Sequence, residues 1–312
     1  MNTEDKDLEK QKRIAEKRSV DPDDQLHDAP AKGEVINDYF SFNEIFARIL
    51  STADHELNAS NRYLIWSGLA AGFALGLTFL ARVTFTEASG EAEPLLLGNL
   101  LYPVGFLIIV LGRYQLFTEN TLTPVVLVLT RLASVVNTLR LWVIVLITNL
   151  VGAVGVAVLI SSFEVLTPDQ QLVAIEMGQK AASETWFDLF SRALFAGWIV
   201  ASMVWLVHAA RDTISRIFLI YILMYFVGVA HLYHIVTSSV EVFYLALELS
   251  SVDMLPLFSS FVLPVLLGNT IGGVFFVALL NYALFAEHED SELFKSYGEK
   301  LCWRDWVFGK RS

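Results

Sequence analysis

"RYQLFTENTLTP", residues 113 to 124, lies between apolar runs and carries Arg113, Thr118, Glu119 and Asn120 within eight positions. Upstream stands "NLLYPVGFLIIVLG", residues 99 to 112, and downstream "VVLVLT", residues 125 to 130. Neither flank is the roughly 20 residues that a membrane-crossing helix needs, but together they come close. The stretch therefore reads as an interruption inside one crossing. Lipid offers no hydrogen-bond partner to an unwound backbone, so such an interruption has to be buried in protein or line a wet cavity.

The rest of the chain supports that setting. Of 312 residues, 54% are hydrophobic and 18% charged, a membrane composition. Apolar spans read at about 62 to 84, at 95 to 113 resuming at 120 to 130, at 141 to 163, at 191 to 210, at 217 to 248 with an interruption near 231 to 241, and at 255 to 286. These make six crossings and an all-α membrane protein. The net charge of -11, with no basic stripe, argues against a nucleic-acid partner. The single cysteine, Cys302, has no nearby His or Cys with which to share a metal or a disulfide. No cofactor motif and no metal-ligand spacing stands out. No serine or cysteine nucleophile with an oriented base is seen either, since Ser238 near His234 lacks a third group, so no catalytic residue is assigned and an enzyme is not expected.

Residues 1 to 40 mix both charge signs and have no apolar core of a secretory signal, which predicts a mobile cytoplasmic tail. From Ser41 the pattern changes. Phe42, Ile45, Phe46, Ile49 and Leu50 fall at helical spacing, and Ser41 with Glu44 forms a capping-box pattern, so an amphipathic helix is predicted over 41 to 59, on the membrane surface or beneath the bundle. Segments 83 to 93, 164 to 190 and 248 to 253 hold ten acidic residues and one basic residue, Lys180, whereas the other two loops carry Arg131, Arg140, Arg211 and Arg216. By the positive-inside rule both termini are expected in the cytoplasm. The tail 287 to 312 is mixed in charge and predicts a short cytoplasmic helix.

The chain also repeats itself. "NLVGAV" at 149 to 154 and "NTIGGV" at 269 to 274 share Asn, Gly and Val, Thr118 and Thr237 lie 119 apart, and "AGF" at 71 is echoed by "AGW" at 196. Residues 62 to 163 and 191 to 286 thus read as two copies of a three-span unit. An odd number of spans inverts the second copy relative to the first, the plan of transport proteins whose broken helices meet near the bilayer midplane. Freed amides and helix N-termini there would attract an anion.

On these residues the chain resembles the formate/nitrite transporter family, and within it a divergent inner-membrane branch. Leu116, Phe117 and Thr118 match the family's Leu-Phe-Thr break in the second span, Asn149 and Gly152 match the third span, His234 the break of the fifth, and Asn269, Gly272 and Gly273 the sixth. The match runs over about residues 41 to 286. The resemblance implies an aquaporin-like three-plus-three fold, a homopentamer with one pore per subunit in a bacterial inner membrane, and passage of a small monocarboxylate or nitrite-like anion with protons exchanged at a central histidine. It places His234, Thr118, Phe117 and Leu116 on the pathway, with His231 as the other candidate histidine. Asn149, Asn269 and Ser238 would support the broken helices, and Lys180 could draw anions into a vestibule.

Three departures bear on selectivity. Glu119 stands where better-known members have a small residue, and an unpaired, lipid-facing carboxylate there would cost roughly 2.5 to 3.5 kcal/mol. A partner is therefore expected in Arg113, His231 or His234, unless the site faces water. His231 and His234 both fit the histidine position, and Tyr233 replaces the glutamate that precedes it in formate channels. A pore for neutral or cationic solutes, or a membrane scaffold or sensor without transport, remains the alternative.

Overall fold

In a computed structural model, residues 39–91, 95–249, 251–286 and 300–309 are described. The N-terminal tail up to residue 38 and most of the tail after 286, both expected to be cytoplasmic, fall outside the described residues. Everything described is helix, turn or coil.

Helix α1, Phe42–Leu57, begins as its sequence predicts: Ser41 accepts the Glu44 amide, and the Glu44 carboxylate accepts the Ser41 amide at 2.7 Å. Its apolar face, Phe46, Ile49, Leu50, Ala53 and Leu57, is buried, with Phe46 stacked on Phe285 at 3.9 Å and Phe42 against Trp205 at 5.2 Å between ring centres. Of the two expected placements, packing beneath the bundle is the one observed.

Among the described residues, four helices are long and apolar enough to cross a bilayer: α2 (Asn61–Ser89), α5 (Val135–Ser162), α7 (Trp186–Ala209) and α10 (Met254–Ala286). The 29 residues of α2 span about 43 Å at 1.5 Å per residue, more than a hydrocarbon core of about 30 Å. The last of the four widens into π turns at Phe258–Val262 and Val274–Leu279. Two further crossings are broken. One pairs α3 (Val104–Gly112) with α4 (Thr123–Leu129), joined through a 3-10 turn at Glu119–Thr121, and the other pairs α8 (Thr213–Val229) with α9 (Ile235–Glu248). The arrangement agrees with six spans of which the second and fifth are interrupted.

Leu139, Val143, Ile147 and Val151, four residues apart along α5, are all exposed. That stripe would be a liability in water, but it costs nothing against lipid or a neighbouring subunit.

Two expectations need correcting. The segment 164 to 190, read as a loop, contains α6, Pro168–Ser183, which opens on a capping box of Thr167 and Gln170 with Pro168 in the first turn. Its acidity bears on sidedness, and its Thr-Pro-Asp-Gln opening is a helix-start signal. The second interruption is also shorter than 231 to 241, because Thr237, Ser238 and Ser239 are already helical. Beyond α10, a short helix α11, Trp303–Phe308, docks by its Trp306 Nε1, which donates to the Val128 carbonyl at 2.8 Å.

Candidate substrate pathway

Breaking a helix inside a bundle leaves amides and carbonyls without their usual partners, and here two asparagines take them up. At the first break Asn149 Oδ1 accepts the Phe117 amide at 2.9 Å, while its Nδ2 donates to Gln115 O at 3.0 Å and Gly68 O at 2.8 Å. At the second, Asn269 Oδ1 accepts the Ile235 amide at 2.8 Å, and its Nδ2 donates to Tyr233 O at 3.0 Å and Ala193 O at 2.7 Å. Both asparagines are fully buried. The first half-helix of each broken span ends on a left-handed residue, Arg113 at φ 56° and His231 at φ 50°.

This register sets the internal correspondence. Arg113 matches His231, Gln115 matches Tyr233 and Phe117 matches Ile235, always 118 positions apart. Thr118 therefore corresponds to Val236, and the 119-residue spacing from Thr118 to Thr237 is not the structural equivalence. His234 is the counterpart of Leu116. The "AGF" and "AGW" landmarks do occupy equivalent places: a β-carbon on Gly72 would lie 2.4 Å from the Asn149 carbonyl oxygen, and one on Gly197 would lie 2.2 Å from that of Asn269. Only glycine allows these helices to come so close.

Between the breaks lies the central contact. His234 Nε2 sits 2.8 Å from Thr118 Oγ1, and both residues are wholly buried. His234 is also the N-cap of α9, its Nδ1 accepting the Thr237 amide at 3.4 Å with the Thr237 hydroxyl at 3.2 Å. An amide can only donate, so in the neutral ring the proton resides on Nε2 and is given to Thr118 Oγ1, whose own hydroxyl hydrogen is left to point elsewhere. Phe106 meets the imidazole edge-on at 5.0 Å, and Phe117 meets Trp142 the same way at 5.7 Å. Leu116 and Phe117 are buried beside the contact, in apolar surroundings.

Beside the first break is a polar cluster that the sequence reading missed. Thr123 donates to the buried Glu56 carboxylate, Trp142 Nε1 donates to Asn120 O at 2.8 Å, and Asn120 Nδ2 donates to Gln115 Oε1 at 3.3 Å. Burial pushes the Glu56 carboxyl up to about 7 against the opposing pull of its hydrogen bonds. Glu119 does not have the partner expected for it. The nitrogens of His234 are engaged by Thr118 and Thr237, Arg113 is exposed, and among the described residues Glu119 forms no ion pair while its Oε1 is buried without a hydrogen bond. The charge that acts on it is that of another carboxyl, Glu56.

Beside the second break a cavity of about 300 Å³ is lined by Arg82, Tyr102, Lys180, His231, Ser238 and Glu241, among others. His231 is thus a wall residue of this cavity, and His234 is the histidine of the buried contact. Ser238 also faces the cavity; it lies one turn beyond His234, whose carbonyl accepts its amide at 2.9 Å. Arg82 Nη1 forms a buried ion pair with Glu241, and its Nε donates to Asn99 Oδ1 at 2.9 Å. Opposite charges on two membrane-spanning helices are a functional signal by themselves, and it stood in the sequence at Arg82 and Glu241 without being used.

Two broken helices meeting at a buried Thr–His contact, inside long apolar helices that expose apolar faces, define a multi-pass membrane channel or transporter. The chain belongs to the family described as Formate/nitrite transporter, whose sequence pattern matches residues 43–283. Inner membrane protein YfdC of Escherichia coli K12 is 32% identical over 242 residues, covering 77% of each chain. Formate channel FocA of Haemophilus influenzae is 27% identical over 175 residues, 54% of this chain and 61% of that one. Among solved structures, an FNT family ion channel superposes with a TM-score of 0.68 at 20% identity, covering 78% of this chain and 98% of its own. A pentameric formate channel with formate bound gives 0.63 at 18% identity, covering 72% and 98%. The relatives whose names state an activity, FocA and the solved formate channel among them, are channels or transporters, not enzymes.

Proposed function

We propose that the protein passes small monovalent weak-acid anions, formate or nitrite in type, across a bacterial inner membrane, with a proton exchanged at His234. The observation that carries this reading is the buried contact between His234 Nε2 and Thr118 Oγ1 at the meeting of the two breaks. An anion entering the apolar zone around Phe106, Leu116 and Phe117 would lose its hydration at high cost, whereas the neutral acid would not. As an anion approaches, a proton from the vestibule water is taken up at Nδ1, which gives up the Thr237 amide, and Nε2 then passes its own proton to Thr118 Oγ1 as the Thr118 hydroxyl proton passes to the anion, the remaining ring proton staying on Nδ1. The acid so formed crosses, and the ring is left neutral. Lys180 on the cavity wall draws anions toward the entrance, His231 stands beside it, and the chain assembles as a homopentamer in the lipid bilayer with both termini in the cytoplasm.

The test is solute flux into proteoliposomes, comparing formate, nitrite, acetate, ammonium and a neutral solute at two pH values, with His234→Ala alongside. Weak-acid flux that rises at low pH and falls at least tenfold in the mutant is expected. Unaltered pH-dependent flux in His234→Ala would refute the role of the histidine.

A second reading has its own observation. Two carboxyls, Glu56 and Glu119, stand next to the first break without a cationic partner among the described residues, which favours a neutral or cationic solute. Under this reading Glu119→Gln shifts the ratio of ammonium to formate flux toward formate. An unchanged ratio removes it.

A further inference from the structure

We propose that Arg82, Tyr102 and Ser238 form a binding site for a planar oxyanion at the floor of the cavity beside the second break, and that Glu241 keeps this site weak. The guanidinium of Arg82 has one nitrogen on Glu241 and one on Asn99, leaving Nη2 without a partner among the described residues, and Arg82 lines the cavity. Its Cζ lies over the Tyr102 ring, 5.2 Å from the ring centre. Tyr102 is 2% exposed, lines the same cavity, and its buried hydroxyl has the Thr237 side chain beside it but makes no hydrogen bond of good geometry among the described residues. A buried donor without an acceptor costs about 1–3 kcal/mol, and an oxyanion is the acceptor that this arrangement lacks. Ser238 adds a hydroxyl on the same wall.

The geometry suits a small carboxylate or nitrite-like ion, because a guanidinium offers parallel N–H donors to a planar pair of oxygens. Arg82 is held in place before the anion arrives, by Asn99 on one edge and Glu241 on the other. Glu241 also cancels its charge. Conduction needs sites that bind strongly enough to admit an ion and weakly enough to release it, and a neutralised arginine meets both demands. From this site the route leads inward along Tyr102, Phe106 and His234, whose successive ring centres are 5.7 Å and 5.0 Å apart. The direction of travel rests on the pathway reading above, while the binding site itself is open to test without transport.

The experiment is calorimetric titration of the purified full-length protein with sodium formate, and separately with sodium nitrite, at constant ionic strength. Glu241→Gln keeps an oxygen for Arg82 and removes the opposing charge, so formate binds about tenfold tighter. Tyr102→Phe removes only the hydroxyl. It weakens formate binding by about threefold to tenfold while leaving the thermal midpoint unchanged or higher, since an unpaired buried hydroxyl has been deleted. A hydroxyl needed for structure would instead lower the midpoint and spare the affinity. Wild-type affinity for both anions in both variants, or no binding of either anion to the wild type, overturns the proposal. His234-dependent flux with formate binding indifferent to Tyr102 and Glu241 removes this site and keeps the pathway. Binding that follows Tyr102 and Glu241 without any flux keeps the site and removes the transport reading.

Discussion

The two broken helices share a scaffold and differ in chemistry. Each ends its first half on a left-handed residue, and each has one buried asparagine bridging an amide and a carbonyl two residues apart. The second resumes helix within a few residues because His234 caps it with a ring nitrogen. At the corresponding position of the first stands Leu116, which has no acceptor to offer. The chain there runs on through Thr118 and a 3-10 turn before α4 begins, with no side-chain cap. A repeated fold thus supplies equivalent backbone supports, while the side chains between them differ, and one of those differences, His234 in place of Leu116, supplies the titratable group. The contact between Thr118 and His234 joins unlike members of the two copies.

The largest effect that tests this comparison is removal of a scaffold asparagine. Asn149→Ala and Asn269→Ala each orphan two buried backbone groups of the break, the Phe117 amide with the Gln115 carbonyl and the Ile235 amide with the Tyr233 carbonyl, and at about 1–3 kcal/mol per group each should lose about 2–6 kcal/mol. Thermal unfolding in detergent measures both, and a large loss in one with little in the other would break the equivalence of the two supports.

Next comes Glu56, which belongs to the first break alone. Its ordinary carboxyl value is 4.5, and in the folded protein burial raises it to about 7. Below pH 4.5 both states hold the proton. Between there and pH 7 the unfolded chain releases it first, so stability falls as pH rises through that window, by about 3 kcal/mol at completion. Glu56→Gln should therefore be more stable than wild type at pH 8 and no different at pH 4, as read from midpoints across a pH series. A parallel pair of pH curves would show that the first break carries no such burden.

The smallest effect sharpens the contact between the breaks. Thr118→Val removes the hydroxyl that faces Nε2 and should cost about 1 kcal/mol of stability, with weak-acid flux reduced further than that loss explains. Thr118→Ser retains the hydroxyl and should keep both. Equal flux in the two variants would mean that the contact serves packing only.

Much of this was legible along the chain. The apolar spans, the polar interruption at 113 to 124, the capping box at Ser41 and the paired asparagines are local or periodic signals, and composition had already set the solvent. The α6 helix was missed because acidity was read for sidedness alone, although Thr167, Pro168 and Gln170 signalled its start. Arg82 and Glu241 were missed because they are 159 residues apart and each looks like a stray charge on its own helix. The partner sought for Glu119 failed for a similar reason, since sequence proximity favoured Arg113 whereas the fold brings up Glu56.

The sequence by itself determined which segments enter the membrane, where two of them must break, and which side chains are suited to mending the breaks, because hydrophobicity, helix capping and the demand for backbone hydrogen bonds all act over short stretches. Only the tertiary structure decided the 118-residue register between the copies, the neutral tautomer of His234, the meeting of Thr118 with that ring, and the cavity floor where Arg82, Tyr102 and Glu241 converge. Those depend on how helices far apart in the chain approach one another to within hydrogen-bonding distance, and that approach is set by close packing at residues such as Gly72 and Gly197 rather than by any local preference.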